Sequence, residues 1–270
     1  MKFSKWQGLG NHYVIVERTD WPVEIDAAVA RLVCDPYRGV GGDGILEIAF
    51  EGQTPRMIVW NPDGSNAESC GNGIRMVTKY LDRAGALPRD GIILTGGGPV
   101  HVEVLEDARV RVEMGPARFP AGERTEMVAV AGTSVEFIEV SMGNPHAVIV
   151  HPDPESVVQA LGPVIEVDPR FPNRTNVEFI RADGPGEITM RVWERGVGET
   201  MACGTGACAA AVAAVRLSGV ASPVTVHLLG GDLVIDVNEE DLSVTMTGGA
   251  EPIFEGTLSD AFRRCLEVAQ

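Results

Sequence analysis

Trp193-Glu-Arg-Gly-Val-Gly-Glu-Thr-Met-Ala-Cys203-Gly-Thr-Gly206 runs directly into the apolar stretch Ala207-Cys-Ala-Ala-Ala-Val212. Upstream stands a counterpart, Trp60-Asn-Pro-Asp-Gly-Ser-Asn-Ala-Glu-Ser-Cys70-Gly-Asn-Gly73. Superposed without a gap, Trp60 meets Trp193, Cys70 meets Cys203, and the flanking glycines coincide at an offset of 133 residues. The same offset carries Gly8-Leu-Gly-Asn11 onto Ser141-Met-Gly-Asn144, and each is followed by an apolar run. A repeat this long, present twice, marks a duplicated domain, because stacked solenoid repeats are shorter and recur many times. Two related halves are therefore expected, each contributing one Cys-Gly-X-Gly turn.

The bulk properties agree. A chain of 270 residues fits two ordinary domains, and 44% apolar residues give material for two cores. A net charge of −16 argues against nucleic acid or an anionic membrane as partner, since both repel a polyanion. Five cysteines form no dense framework, and the first ten residues lack the apolar core of a secretory signal. A soluble, cytoplasmic protein with free thiols is the expectation. The longest apolar run, 207–215, is far below the ~18 residues of a membrane span.

Outward from the two turns, the first half reads as strands at 3–6, 13–17, 45–50 and 56–60, with a helix at 26–34. A helix at 74–84 stopped by Gly85 follows, then strands at 92–95, 100–104 and 110–114. The second half reads as strands at 134–142, 146–150, 176–180 and 188–193, with a short helix at 154–161. A helix at 207–217, apolar nearly all round, must be buried on most sides. A meander at 224–229, 232–237 and 242–247 precedes a last helix at 258–268. Strands mostly follow one another, so the expected class is α+β: two pseudo-symmetric domains, each a curved, mostly antiparallel sheet wrapped around a central helix. The expected boundaries are 1–116 and 117–249, with 250–270 returning to the first half.

A Cys just ahead of a helix sits where unpaired N–H groups and the helix dipole favour an anion. An ordinary thiol is about 3% ionised at pH 7, and lowering its pKa by one unit raises that to about a quarter. Glycines beside it allow close approach, so the amides of Gly71, Asn72, Gly204 and Thr205 could cradle a carboxylate. Two such thiols facing each other across a cleft suit one reaction: one removes a proton from carbon, and the other returns a proton to the opposite face. The pair titrates as a unit. Buried structural cysteine is the ordinary reading of any one Cys, and it is kept for Cys34, Cys208 and Cys265. The shared offset sets Cys70 and Cys203 apart. A metal site at Cys203 and Cys208 finds no matching His/Cys pair nearby. Gly204-Thr-Gly206-Ala-Cys-Ala209 matches a dinucleotide pattern, but 196–200 reads as loop where that pattern needs a strand. Pyridoxal phosphate requires a Schiff-base lysine, and the chain has only Lys2, Lys5 and Lys79. No cofactor and no metal are expected.

These motifs, with Met142-Gly-Asn-Pro-His146 and Arg174-Thr-Asn176, resemble the diaminopimelate epimerase family, in order and at its spacing from the N-terminus to about Gly249. The resemblance implies cofactor-independent interconversion of LL- and meso-diaminopimelate, in lysine and cell-wall precursor synthesis. It implies that Cys70 and Cys203 are the catalytic thiols, and that Gly71, Asn72, Gly204 and Thr205 hold the carboxylate at the reacting centre. Asn61, Asn176, Glu194 and Arg195 match the residues gripping the distal amino and carboxylate ends; Asn11 and Asn144 line the site, with His146 as a supporting residue. Independently, a second amino-acid head needs a guanidinium and a carboxylate, and Glu194-Arg195 offers both. A homodimer with a small-molecule substrate is the expected assembly. Thiols flanking one carbon could also oxidise to a disulfide, so reversible inactivation by oxidants is expected. Two positions depart from the family: His12, usually Asp, and Gly44, which is Gln in some members. Racemisation of another amino acid is the enzyme alternative. A binding module without chemistry would need damage to one Cys turn, and both are intact.

Overall fold

The computed structural model describes residues 1–67, 70–130 and 132–269. Glu68 and Ser69 of the first Cys motif lie outside the described residues. The first stretch of chain forms β1 (Lys2–Gly8), β2 (Asn11–Glu17), α1 (Ala27–Cys34), β3 (Ile45–Glu51), β4 (Thr54–Trp60) and β5 (Asn66–Ala67). α2 (Gly71–Arg83), β6 (Asp90–Thr95), β7 (Gly98–Val104) and β8 (Val110–Pro116) follow. Next come β9 (Thr125–Val130), β10 (Thr133–Ser141), β11 (Pro145–Val150), α3 (Pro154–Glu166), β12 (Asn176–Gly184), β13 (Glu187–Glu194) and β14 (Gly198–Glu199). α4 (Gly204–Ser218), β15 (Val224–Leu228), β16 (Gly231–Val237), β17 (Ser243–Gly248), β18 (Glu251–Thr257) and α5 (Asp260–Ala269) complete it. The class is α+β, as the strand-rich pattern led us to expect.

The chain divides into two compact units, 1–112 with 249–270, and 113–248. Within the first, hydrogen bonding runs β18-β1-β2-β3-β4-β6-β7-β8; β2–β3 and β4–β6 are parallel and the rest antiparallel. Within the second it runs β9-β10-β11-β12-β13-β15-β16-β17, with β11–β12 and β13–β15 parallel. The topology is the same in both. In each unit the outermost strand beside the first repeat strand comes from chain that follows the other half: β18 follows the second repeat and β9 the first. Neither strand was read from the sequence, and the two-residue β14 lies inside the stretch read as loop.

Each sheet surrounds one helix. α2 packs against β1, β2, β3, β4 and β7, and α4 against β10 to β13 and β15 to β17. That explains why α4 buries every side from Ala207 to Val215, with small alanines that let strands approach. The outer face of the first sheet is covered by α1 and the end of α5, through Val29, Val33 and Leu266 packed with Val14, Val16 and Ile45. β2 is therefore buried on both faces from Tyr13 to Val16. In the second unit α3 plays that part, with Val158 and Ile165 on Phe137, Phe179 and Val177. Among the described residues no helix is long and apolar enough to cross a membrane.

Candidate active site

Cys70 is the N-cap of α2 and Cys203 the N-cap of α4, both in extended backbone conformation. Serine, threonine or aspartate is the usual residue there. Here sulfur takes the role, accepting the Gly73 amide at 3.2 Å and the Gly206 amide at 3.4 Å. The amides of Gly71, Asn72, Gly204 and Thr205 belong to the first helical turns, which have no partners inside the helix.

Around Cys70, the thiol donates to the Tyr13 hydroxyl at 3.5 Å. Asn72 is buried and donates through Nδ2 to Asn11 Oδ1. Beneath the turn lies the wholly buried Arg75, donating to the Gly71 carbonyl at 3.0 Å, Asn72 Oδ1 at 2.8 Å and the Gly249 carbonyl at 3.2 Å. Asn11 and Asn72 are thus brought together and fixed from behind by a guanidinium. His12 lies beside them, its amide donating to Asp43 Oδ2 at 2.8 Å. Asn61 is held within its own turn, its Nδ2 donating to Ser65 Oγ at 2.9 Å.

Around Cys203 the partners form a chain. Cys203 Sγ is 3.6 Å from Thr205 Oγ1, and Asn144 Nδ2 donates to that oxygen at 3.2 Å. Asn144 Oδ1 is 3.0 Å from His146 Nε2, and His146 Nδ1 is 2.7 Å from Glu178 Oε1. His146 and Glu178 are both fully buried. Both ring nitrogens face side-chain oxygens, one of a carboxamide and one of a carboxylate. Glu178 Oε2 is buried without a hydrogen-bond partner among the described residues. Asn176 sits opposite His146 in the β11–β12 ladder. Its Oδ1 accepts the Arg195 amide at 3.0 Å, and its Nδ2 donates to the Pro145 carbonyl at 3.0 Å. Glu194 Oε1 accepts the Thr200 hydroxyl, and the exposed Arg195 guanidinium donates to the Asn173 carbonyl at 3.4 Å.

The hairpin carrying Glu194 and Arg195 is clamped by Glu166 at the end of α3. Its oxygens accept Trp193 Nε1 and the Gly196 amide, each at 2.8 Å. Burial pushes the Glu166 carboxyl up, but the bonds from Trp193 and Gly196 and the Arg174 guanidinium outweigh it and hold it below the ordinary range. In the first unit Glu47 does the same for Trp60, accepting its indole N–H at 2.9 Å and Arg18 at 2.8 Å.

One expectation is reversed. The helix N-terminus was expected to draw both thiols towards ionisation. Cys203 is instead pushed well above the ordinary thiol range, by burial first and then by the Glu194 and Glu178 carboxylates. The Thr205 hydroxyl and Gly206 amide pull the other way and lose. Cys203 is a thiol. Cys34 and Cys208 are buried and Cys265 is exposed. Among the described residues no group of three His, Cys, Asp or Glu side chains could hold a metal ion. The sequence reading did not single out Tyr13, Arg75 or Glu178. The offset that pairs Asn11 with Asn144 also pairs Tyr13 with His146, and would have marked the tyrosine.

Two helices capped by cysteine sulfur, in two sheets of one topology, define a fold shared with amino-acid epimerases. A hydroxyproline epimerase from Agrobacterium vitis, solved with trans-4-hydroxy-L-proline bound, aligns at a TM-score of 0.70 and 16% identity. That alignment covers 96% of this chain and 90% of that one. The family model for diaminopimelate epimerase matches residues 3–120 and 138–253. The diaminopimelate epimerase of Desulforudis audaxviator is 44% identical over 273 residues, 95% of this chain and 98% of its own. That of Pelotomaculum thermopropionicum is 44% identical over 275 residues, with the same shares. The chain belongs to the diaminopimelate epimerase family and is an isomerase.

Proposed function

We propose that the protein interconverts LL-2,6-diaminopimelate and meso-diaminopimelate without a cofactor, with Cys70 and Cys203 as the two acid–base groups. The observation that carries this reading is the pair of sulfur N-caps, one per unit, at equivalent places in one topology. Inversion at carbon needs a base on one face and an acid on the other. In one direction a Cys70 thiolate takes the α-proton, the electron pair is delocalised towards the α-carboxylate, and the Cys203 thiol returns a proton to the opposite face. The other direction reverses the roles. The suppressed ionisation of Cys203 fits a resting form in which it is the donor.

The first-turn amides of Gly71, Asn72, Gly204 and Thr205 hold the α-carboxylate, whose growing negative charge they stabilise. Asn61, Asn176, Glu194 and Arg195 take the distal amino-acid head, Glu194 for the ammonium and Arg195 for the carboxylate. Asn11 and Asn144 line the site, and His146 supports Cys203 through Asn144 and Thr205. The protein works as a cytoplasmic homodimer in lysine and cell-wall precursor synthesis; sedimentation tests the assembly.

The deciding experiment incubates the reduced protein with LL- or meso-diaminopimelate in deuterated water, following the α-proton signal with stereochemical composition. Deuterium entry accompanied by inversion is expected. Absence of exchange with thiols confirmed free would overturn the reading.

A further inference from the structure

Tyr13 is buried in β2, and its hydroxyl accepts from the Cys70 thiol at 3.5 Å. Room for the ring comes from Gly44. A Cβ at that position would stand 2.4 Å from the Trp60 carbonyl oxygen and 2.7 Å from Tyr13 Cε1, distances no real contact tolerates. The glycine is therefore a notch that the tyrosine ring fills. Strand register gives both positions counterparts in the second unit. Gly44 precedes Ile45, which lies opposite Val14; Asn176 precedes Val177, which lies opposite Ala147. Tyr13 thus corresponds to His146 and Gly44 to Asn176. Where one unit sets an imidazole beside a carboxamide, the other sets a phenol beside a gap.

We propose that Tyr13 is a positioning residue for Cys70, its hydroxyl accepting from the thiol and donating to the thiolate, with Gly44 as the notch that lets it reach. A hydroxyl carries one donor and two lone pairs, so it serves both protonation states of a group that alternates between acid and base. The Gly73 amide, 3.2 Å from the sulfur, can only donate. A bond to ionised sulfur is roughly twice as strong as one to neutral sulfur. The hydroxyl therefore holds Sγ in place through the cycle and, on balance, favours the thiolate. The inference rests on the reading of Cys70 as an acid–base thiol.

Tyr13→Phe keeps the ring and removes only the hydroxyl. The measurement is the pH dependence of iodoacetamide alkylation at each cysteine, resolved by peptide mass spectrometry, together with the pH profile of kcat. For Tyr13→Phe the Cys70 alkylation curve is expected to move up by roughly one pH unit, and kcat at neutral pH to fall roughly tenfold. The Cys203 curve and the melting temperature stay in place. Gly44→Ala displaces the ring and moves the Cys70 curve in the same direction, with no further shift in the double variant. A Cys70 curve unmoved in folded Tyr13→Phe overturns the inference, as does an equal movement of both curves. Cys70→Ser separates the two readings: if it still inverts the substrate at a near-normal rate, the role of Cys70 fails; if it does not and the Tyr13→Phe curve is unmoved, only the role of Tyr13 fails.

Discussion

Behind the first-turn glycine of α2 lies Leu46, and behind that of α4 lies Glu178. A Cβ on Gly73 would come within 2.9 Å of Leu46 Cδ2, and one on Gly206 within 2.7 Å of Glu178 Oε1. Leu46 and Glu178 are equivalent, because Ile15 opposes Leu46 as Val148 opposes Glu178. Next to them stand Tyr13 in one unit and His146 in the other. The first unit thus backs its cysteine with a leucine and a phenol, the second with a buried imidazole hydrogen-bonded to a carboxylate. The scaffold around them is shared: a sulfur N-cap, an amide three residues on, and a first-turn side chain bonded to an asparagine, Asn72 to Asn11 and Thr205 to Asn144. The two units share the geometry of the cysteine turn and differ in what stands behind the sulfur. Burial and two carboxylates raise Cys203 in the second unit, and the leucine behind Cys70 brings no such charge.

The comparison breaks first at the thiols. Cys70→Ser and Cys203→Ser are each expected to lower turnover by about 10³-fold or more, since each removes one of two obligatory proton carriers. Circular dichroism should report an intact fold. Near-normal turnover in either variant would remove the functional equivalence of the turns.

The second test concerns the buried pair. Removing one partner of a buried hydrogen bond to a carboxylate costs about 1.5–3 kcal/mol. Glu178→Gln is therefore expected to lose stability on that scale in urea unfolding. It also removes one of the carboxylates that raise Cys203, so Cys203 should alkylate at lower pH than in the native protein. A loss under about 1 kcal/mol would narrow the difference between the units.

Smaller effects are expected where the units agree. Trp60 and Trp193 each donate an indole N–H to a buried carboxylate, Glu47 and Glu166. A hydrogen bond to a charged group contributes about 1.5–3 kcal/mol. Trp60→Phe and Trp193→Phe should cost similar amounts within that range, measured by thermal unfolding. A large inequality would show that one hairpin is held by other means.

The Cys turns, their helices and the central placement of α4 were legible because the repeat runs ungapped through them and the alanine run leaves no polar face. β9 and β18 were not. β18 pairs with β1, remote in sequence, and, exposed at Ile253 and Phe254, lacks a buried alternation to betray it; β9 buries only Val128 and Val130, too short an alternation to stand out. Glu178 was hidden for another reason: the offset slips from 133 to 132 between β2 and β3, so an ungapped overlay aligns it with Ile45 and not with Leu46. The protonation of Cys203 was illegible in principle. A helix N-terminus can be read from a sequence, whereas burial and the carboxylates that converge on the sulfur come from β12 and β13 and exist only once the sheet forms.

Cys34 isolates burial from the rest. It ends α1, capping nothing, and burial first, with Asp43 adding and Lys5 subtracting, pushes its thiol from 9.0 up to about 12. The folded state therefore holds a proton that the unfolded chain releases above pH 9. That contribution to stability is complete below pH 9 and is lost as pH rises towards about 12. At pH 10 the loss from this group is about 1.4 kcal/mol. The difference in unfolding free energy between the native protein and Cys34→Ala should shrink by about that amount between pH 7 and pH 10. Cys203→Ala should show the same narrowing in the same window, since its thiol too is raised. If Cys34→Ala narrows and Cys203→Ala does not, Cys203 is ionised in the free protein, and the resting donor in the second unit must be sought elsewhere.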